Sequence, residues 1–119
     1  VDRQHGLARG HDGGQVLAPG GFVPQFERAL ENVRAVVHQA GGRVEEICRF
    51  TIYVTDRTLY ERDLAAVGAA YRRVMGRHFT AMALVEVAAL LEPGALVEIE
   101  ATAALSPEIA HRPDTGASA

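Results

Sequence analysis

The run Gly94-Ala95-Leu96-Val97-Glu98-Ile99-Glu100-Ala101-Thr102-Ala103 constrains the fold more than any other stretch of the chain. Its strict alternation gives a strand with two unlike faces. Val97, Ile99, Ala101 and Ala103 point one way, and Glu98, Glu100 and Thr102 point the other. The first face is dry and needs a cover. The second holds two carboxylates side by side, so it is either simply wet or lines something.

The cover is supplied upstream. In PQFERALENVRAVVHQAGG, Phe26, Leu30, Val33, Val37 and Ala40 recur at helical steps, with Pro24 in the first turn and Gly41-Gly42 as the stop. A second stripe, Tyr60, Leu64, Val67, Tyr71 and Val74, predicts a helix from about Thr58 that Gly76 closes. Between them EEICRFTIYVT alternates, with Cys48, Phe50, Ile52 and Val54 expected inside and Arg49, Thr51, Tyr53 and Thr55 outside. TAMALVEVAA reads as a further strand, LLEPG as a turn, and VDRQHGLA as the tail of a first strand before a Gly-rich turn. The order strand, helix, strand, helix, strand, strand makes right-handed crossovers and puts both helices on one face of a mixed sheet. The other face is left bare. By parity it is expected to carry Arg49, Thr51, Tyr53, Met82, Leu84, Glu86, Glu98 and Glu100. Such a mixture suits an interface between copies better than a wet surface, with Arg49 available to pair a glutamate.

Composition removes several chemistries. All 12 Lys+Arg residues are arginine, which excludes a lysine Schiff base. The serines, Ser106 and Ser118, lie beyond the patterned region, and Cys48 is the single cysteine. Five scattered histidines show no helical ligand spacing, so no metal is expected. A net charge of −3 gives no electrostatic reason to bind nucleic acid. No apolar run approaches the roughly 20 residues of a membrane helix, and the default expectation is a soluble cytoplasmic protein. The 119 residues fit one domain, taken as 1–105, with 106–119 expected to be a mobile tail.

Three stretches, ALENVRAVVHQAGG, IYVTD and MGRHFTAMALVEVAALLEPGALVEIEATA, resemble the Rid family, also called YjgF/YER057c/UK114, in order and spacing over roughly residues 14–104. The resemblance implies an α+β fold, the chorismate-mutase-like sandwich, assembled as a homotrimer with a small-molecule ligand in each inter-subunit cleft. It also implies an enamine or imine deaminase, a hydrolase that uses neither metal nor organic cofactor. Carried over by position, Glu98 orients the attacking water and the backbone at Leu84 helps to place it. Phe79 matches the family and packs on the ligand, with His78 beside it at the cleft mouth. The position that holds the family's carboxylate-clamping arginine is Met82.

A guanidinium grips a carboxylate through two parallel charge-assisted hydrogen bonds, and a thioether cannot. Arg3 or Arg77 is the available substitute, and Met82 otherwise reads as an apolar pocket wall. The start of the chain departs as well. The family's first strand is missing or altered, and of Asp2-Arg3-Gln4 only Gln4 matches the expected Ser-Gly-Gln. Two readings follow: a Rid-like hydrolase with altered substrate choice, working through Glu98, or a non-catalytic module that binds a small ligand or a partner. The ribonuclease activity sometimes attached to the family sits poorly with an acidic chain that lacks lysine.

Overall fold

The computed structural model describes residues 7–9, 11–12, 15–16 and 21–107. Strand β1 (Leu7–Arg9) is followed by a small hairpin, β2 (His11–Asp12) and β3 (Gln15–Val16). Helix α1 (Phe22–Gln39) leads to β4 (Ile47–Val54), then α2 (Arg57–Arg62), α3 (Leu64–Met75), β5 (Ala81–Glu86) and β6 (Val97–Ala103). The main sheet runs β1-β6-β4-β5, with β4 and β5 parallel and the other pairs antiparallel. This is the expected mixed sheet with helices on one face. Arg3, Gln4 and residues 108–119 of the expected tail lie outside the described residues. Ser106, where that tail was placed to begin, donates its amide to Glu46 at 3.2 Å.

The core forms where the dry faces meet. Phe26 and Leu30 of α1, Val67, Val74 and Met75 of α3, and Phe50, Ile52, Val54, Val97 and Ile99 of the sheet are all buried together. Each large apolar side chain withdrawn this way contributes about 1.5–3 kcal/mol. Gln25 is the buried polar exception on α1, and its partners explain it. Its Nε2 donates to the Gly94 carbonyl at 3.1 Å, and its Oε1 accepts from the Leu96 amide at 2.8 Å. The helix thereby fixes the start of β6, the strand that carries Glu98.

Three expectations change. The second helix is broken at Asp63 (φ −121°, ψ 39°), whose carbonyl accepts the first bond of α3 from Val67 at 2.9 Å. Aspartate competes for local backbone groups and therefore favours helix ends over interiors. Cys48 is exposed, not buried. Ile47 pairs with Ala103 and Arg49 with Thr102, so Cys48 is the extra residue of a bulge and Ile47 takes the inner position.

Strand β5 is also turned over relative to the expectation. Met82, Leu84 and Glu86 stand beside Phe50, Ile52 and Val54, which places them on the helix side of the sheet. The residues on the bare face are Ala81, Ala83 and Val85, beside Arg49, Thr51 and Tyr53. From Ala81 to Val85 this strand is apolar at both parities, so alternation alone could not set its phase; the β4 ladder sets it, and Glu86 at its end goes with Met82 and Leu84.

The turn after α3 makes a paired stability test. Gly76 closes the helix at φ 64°, ψ −131°, a conformation that side-chain-bearing residues avoid. Gly76→Ala is expected to cost about 1–2 kcal/mol by chemical denaturation. Gly68 lies inside the same helix, and a Cβ there meets only the Arg72 side chain, at 3.5 Å. Gly68→Ala should therefore stabilise the protein by nearly 1 kcal/mol. Equal effects in the same direction would contradict the assigned backbone geometry.

Candidate functional site

Two surfaces carry the candidate residues. The first is a groove of about 190 Å³ on the helix side, between the α3 helix and the β5 edge. Ile52 forms its floor, Leu64, Val67, Gly68 and Arg72 one wall, and Phe79 and Met82 the other, with Phe26, Tyr60 and Tyr71 completing it. The wall at Phe79 is built by a relay. The Tyr71 hydroxyl donates to the His78 carbonyl at 2.8 Å, and His78 Nε2 lies 2.8 Å from the Ile47 carbonyl. These bonds hold the segment after Gly76 so that the Phe79 ring stacks on Tyr71, centroids 5.1 Å apart. Burial pushes the Tyr71 phenol above its ordinary pKa, which keeps it a hydrogen-bond donor. Phe79 remains 65% exposed and Met82 44% exposed. Both present apolar surface to the opening.

The second surface is the bare sheet face. Glu98 stands beside Tyr53, and Glu100 beside Thr51. Glu98 is only 8% exposed, low for a carboxylate, and Glu100 is exposed. The Tyr53 hydroxyl donates to Glu100 Oε1 at 3.0 Å, and that bond raises the phenol's pKa. The two glutamates therefore differ: one is engaged by a phenol in the open, the other sits low in the face.

The structure brings Met82 and Phe79 into one groove and places Leu84 farther along the same side, packed partly on the core. Glu98 does not join them. It lies on the opposite face, and β5 and β6 flank β4 without touching each other. One chain thus cannot close a site around Met82 and Glu98.

Leu84 has a further property. The Val87 amide donates to the Val54 carbonyl at 2.8 Å, so its backbone faces β4. Alternation along a parallel strand then turns the N–H and C=O of Leu84 outward, along the unpaired β5 edge. Arg72 is a groove residue that the sequence reasoning missed. Side chains on a helix lean toward its N-terminus, and that lean carries Arg72 back over Gly68 to the groove. The Gly-x-x-x-Arg spacing was the available signal. Arg73, its neighbour, is spent on Glu27 through two bonds of 2.8 Å.

Among the described residues, no group of three His, Cys, Asp or Glu side chains is placed to hold a metal ion, and no helix is long and apolar enough to cross a membrane.

The family model described as Endoribonuclease L-PSP matches residues 4–105. The chain is 38% identical over 87 residues to the RutC family protein UK114 of Drosophila melanogaster, covering 73% of this chain and 59% of that protein. It is 36% identical over 88 residues to the 2-iminobutanoate/2-iminopropanoate deaminase of Escherichia coli K12, covering 71% of this chain and 65% of the enzyme. The chain thus spans about three fifths of the length of these curated relatives. Among solved structures, the YjgF gene product of Escherichia coli superposes with a TM-score of 0.65 at 30% identity, covering 82% of this chain and 80% of that one.

Proposed function

This chain belongs to the YjgF/YER057c/UK114 (Rid) family, and from that premise we propose that it is an imine or enamine hydrolase that releases ammonia from substrates lacking a carboxylate beside the imine carbon. Relatives named as 2-iminobutanoate/2-iminopropanoate deaminases support the reaction class. The observation that carries the substrate choice is Met82: it forms part of an apolar wall at the position where the family pattern has its clamp. A carboxylate pressed against that thioether would lose hydration and gain no hydrogen bond from it.

The chemistry needs little from the protein. Water adds to the imine carbon, the resulting carbinolamine loses ammonia, and a carbonyl compound remains. Glu98 accepts a proton from the attacking water and returns it toward the departing nitrogen, while the outward Leu84 amide polarises or positions the reacting atoms. Because Glu98 and Leu84 belong to different faces of one chain, they meet only when the bare face of one copy lies against the β5 edge of another. A homotrimer with three such contacts satisfies this. Light scattering at micromolar concentration is expected to give three times the chain mass, and a monomer mass would remove the composite site. The activity itself is tested by incubating the protein with a freshly generated ketimine that has no carboxylate: ammonia and ketone should appear in equal amounts, faster than without protein.

The Met82 departure also favours one second reading, a module of the same fold that binds a small apolar ligand without turning it over. Ligand binding with no ammonia release from any imine would select it. An RNA substrate is disfavoured by the net charge of −3 and the absence of lysine.

A further inference from the structure

The groove is not purely apolar. Its lining holds one formally charged side chain, Arg72, opposite Met82 and Phe79 on the helical wall. Among the described residues, the ion pairs join Arg28 to Glu31 and Arg73 to Glu27, and Arg72 takes part in none. Its Nη1 lies 3.5 Å from the place a Cβ on Gly68 would occupy, so the absence of a side chain at 68 leaves the guanidinium open to the groove. An arginine across an apolar trough from a stacked phenylalanine complements a ligand with an apolar body and one anionic end.

We propose that the groove binds amphipathic monoanions, with the apolar body on Phe79, Tyr71 and Met82 and the anionic group paired to Arg72. This rests on the imine-hydrolase reading for which end of the ligand carries the reacting carbon; the anion site itself rests on the groove alone. The charge recognised is then on the helical wall, opposite the Met82 position, so the proposal favours ligands whose anionic group is separated from the imine carbon by an apolar body. Specificity has moved from the strand to the helix.

The test is equilibrium binding of 4-phenylbutanoate and its neutral amide, 4-phenylbutanamide, to the intact protein. Wild type is expected to prefer the carboxylate by about fivefold, a modest factor because Arg72 is solvent-exposed. Arg72→Gln should erase the preference and keep the amide affinity. Arg62→Gln, an exposed arginine outside the groove, should leave the preference intact. Gly68→Leu, which improves helix propensity while filling the trough, should weaken both ligands. Equal binding of the two ligands by wild type, a preference that survives Arg72→Gln, or undiminished binding by Gly68→Leu overturns the proposal. Failed imine turnover with an intact carboxylate preference removes the hydrolase reading and leaves the anion site. Turnover without the preference removes the anion site alone.

Discussion

Glu98→Gln is expected to lower imine turnover by about 10²–10⁴-fold, the usual worth of a positioned acid-base group. Glutamine keeps the shape and one acceptor but cannot take the proton of the attacking water. The side chain lies low in the bare face, 8% exposed, so its carboxylate works in a less watery setting than its neighbour's. Glu100→Gln is the matched control. Glu100 is exposed, and an amide oxygen can still accept the 3.0 Å bond from Tyr53. Its turnover should stay within a few-fold of wild type, and the assembly mass should be unchanged in both variants. Equal losses would mean that Glu98 has no role beyond the shared charge of the face.

Met82→Arg is expected to raise keto-acid affinity about tenfold or more and to bring 2-aminoacrylate turnover with it. A charge-assisted bond is worth roughly 1.5–3 kcal/mol, and the guanidinium can make two in parallel. Opposing this is the desolvation of a new cation beside Phe79 and Ile52. Met82 is 44% exposed at the groove rim, so an arginine there can keep its head in water until a ligand arrives. The gain is read by titrating pyruvate into both proteins and following ammonia release from 2-aminoacrylate. No gain in a folded Met82→Arg protein would show that the cleft has diverged at more than one position. It would favour the binding-module reading.

Much of the fold was legible because its strongest signals are periodic. The α1 stripe and the β6 alternation each have one apolar face, and both elements lie where that pattern puts them. What failed was phase. In β5 both parities are apolar, Ala81, Ala83 and Val85 against Met82 and Leu84, so nothing local says which set turns inward. In β4 the bulge at Cys48 shifts the count by one, and a bulge leaves no mark on alternation until the partner strand is known. The break at Asp63 escaped because the apolar stripe continues on both sides of it, although aspartate is a poor helix former. Of the candidate site, the residues Met82, Leu84, Phe79 and Glu98 followed from the family pattern. Their division between two faces did not, because it depends on register. Arg72 escaped because its reach across Gly68 is a property of helix side-chain direction, not of the arginine itself.

On the proposed reading, a Rid-type site with Met82 at the clamp position keeps its water chemistry but not its grip on a carboxylate. The most direct test compares initial rates of ammonia release by wild-type protein from two freshly generated substrates under one set of conditions. One is 2-aminoacrylate; the other is a ketimine of similar size without a carboxylate. Clear catalysis of the ketimine and little or none of 2-aminoacrylate are expected. Catalysis of 2-aminoacrylate that outpaces the ketimine would contradict this reading, because a carboxylate would then be bound productively despite Met82 at the clamp position.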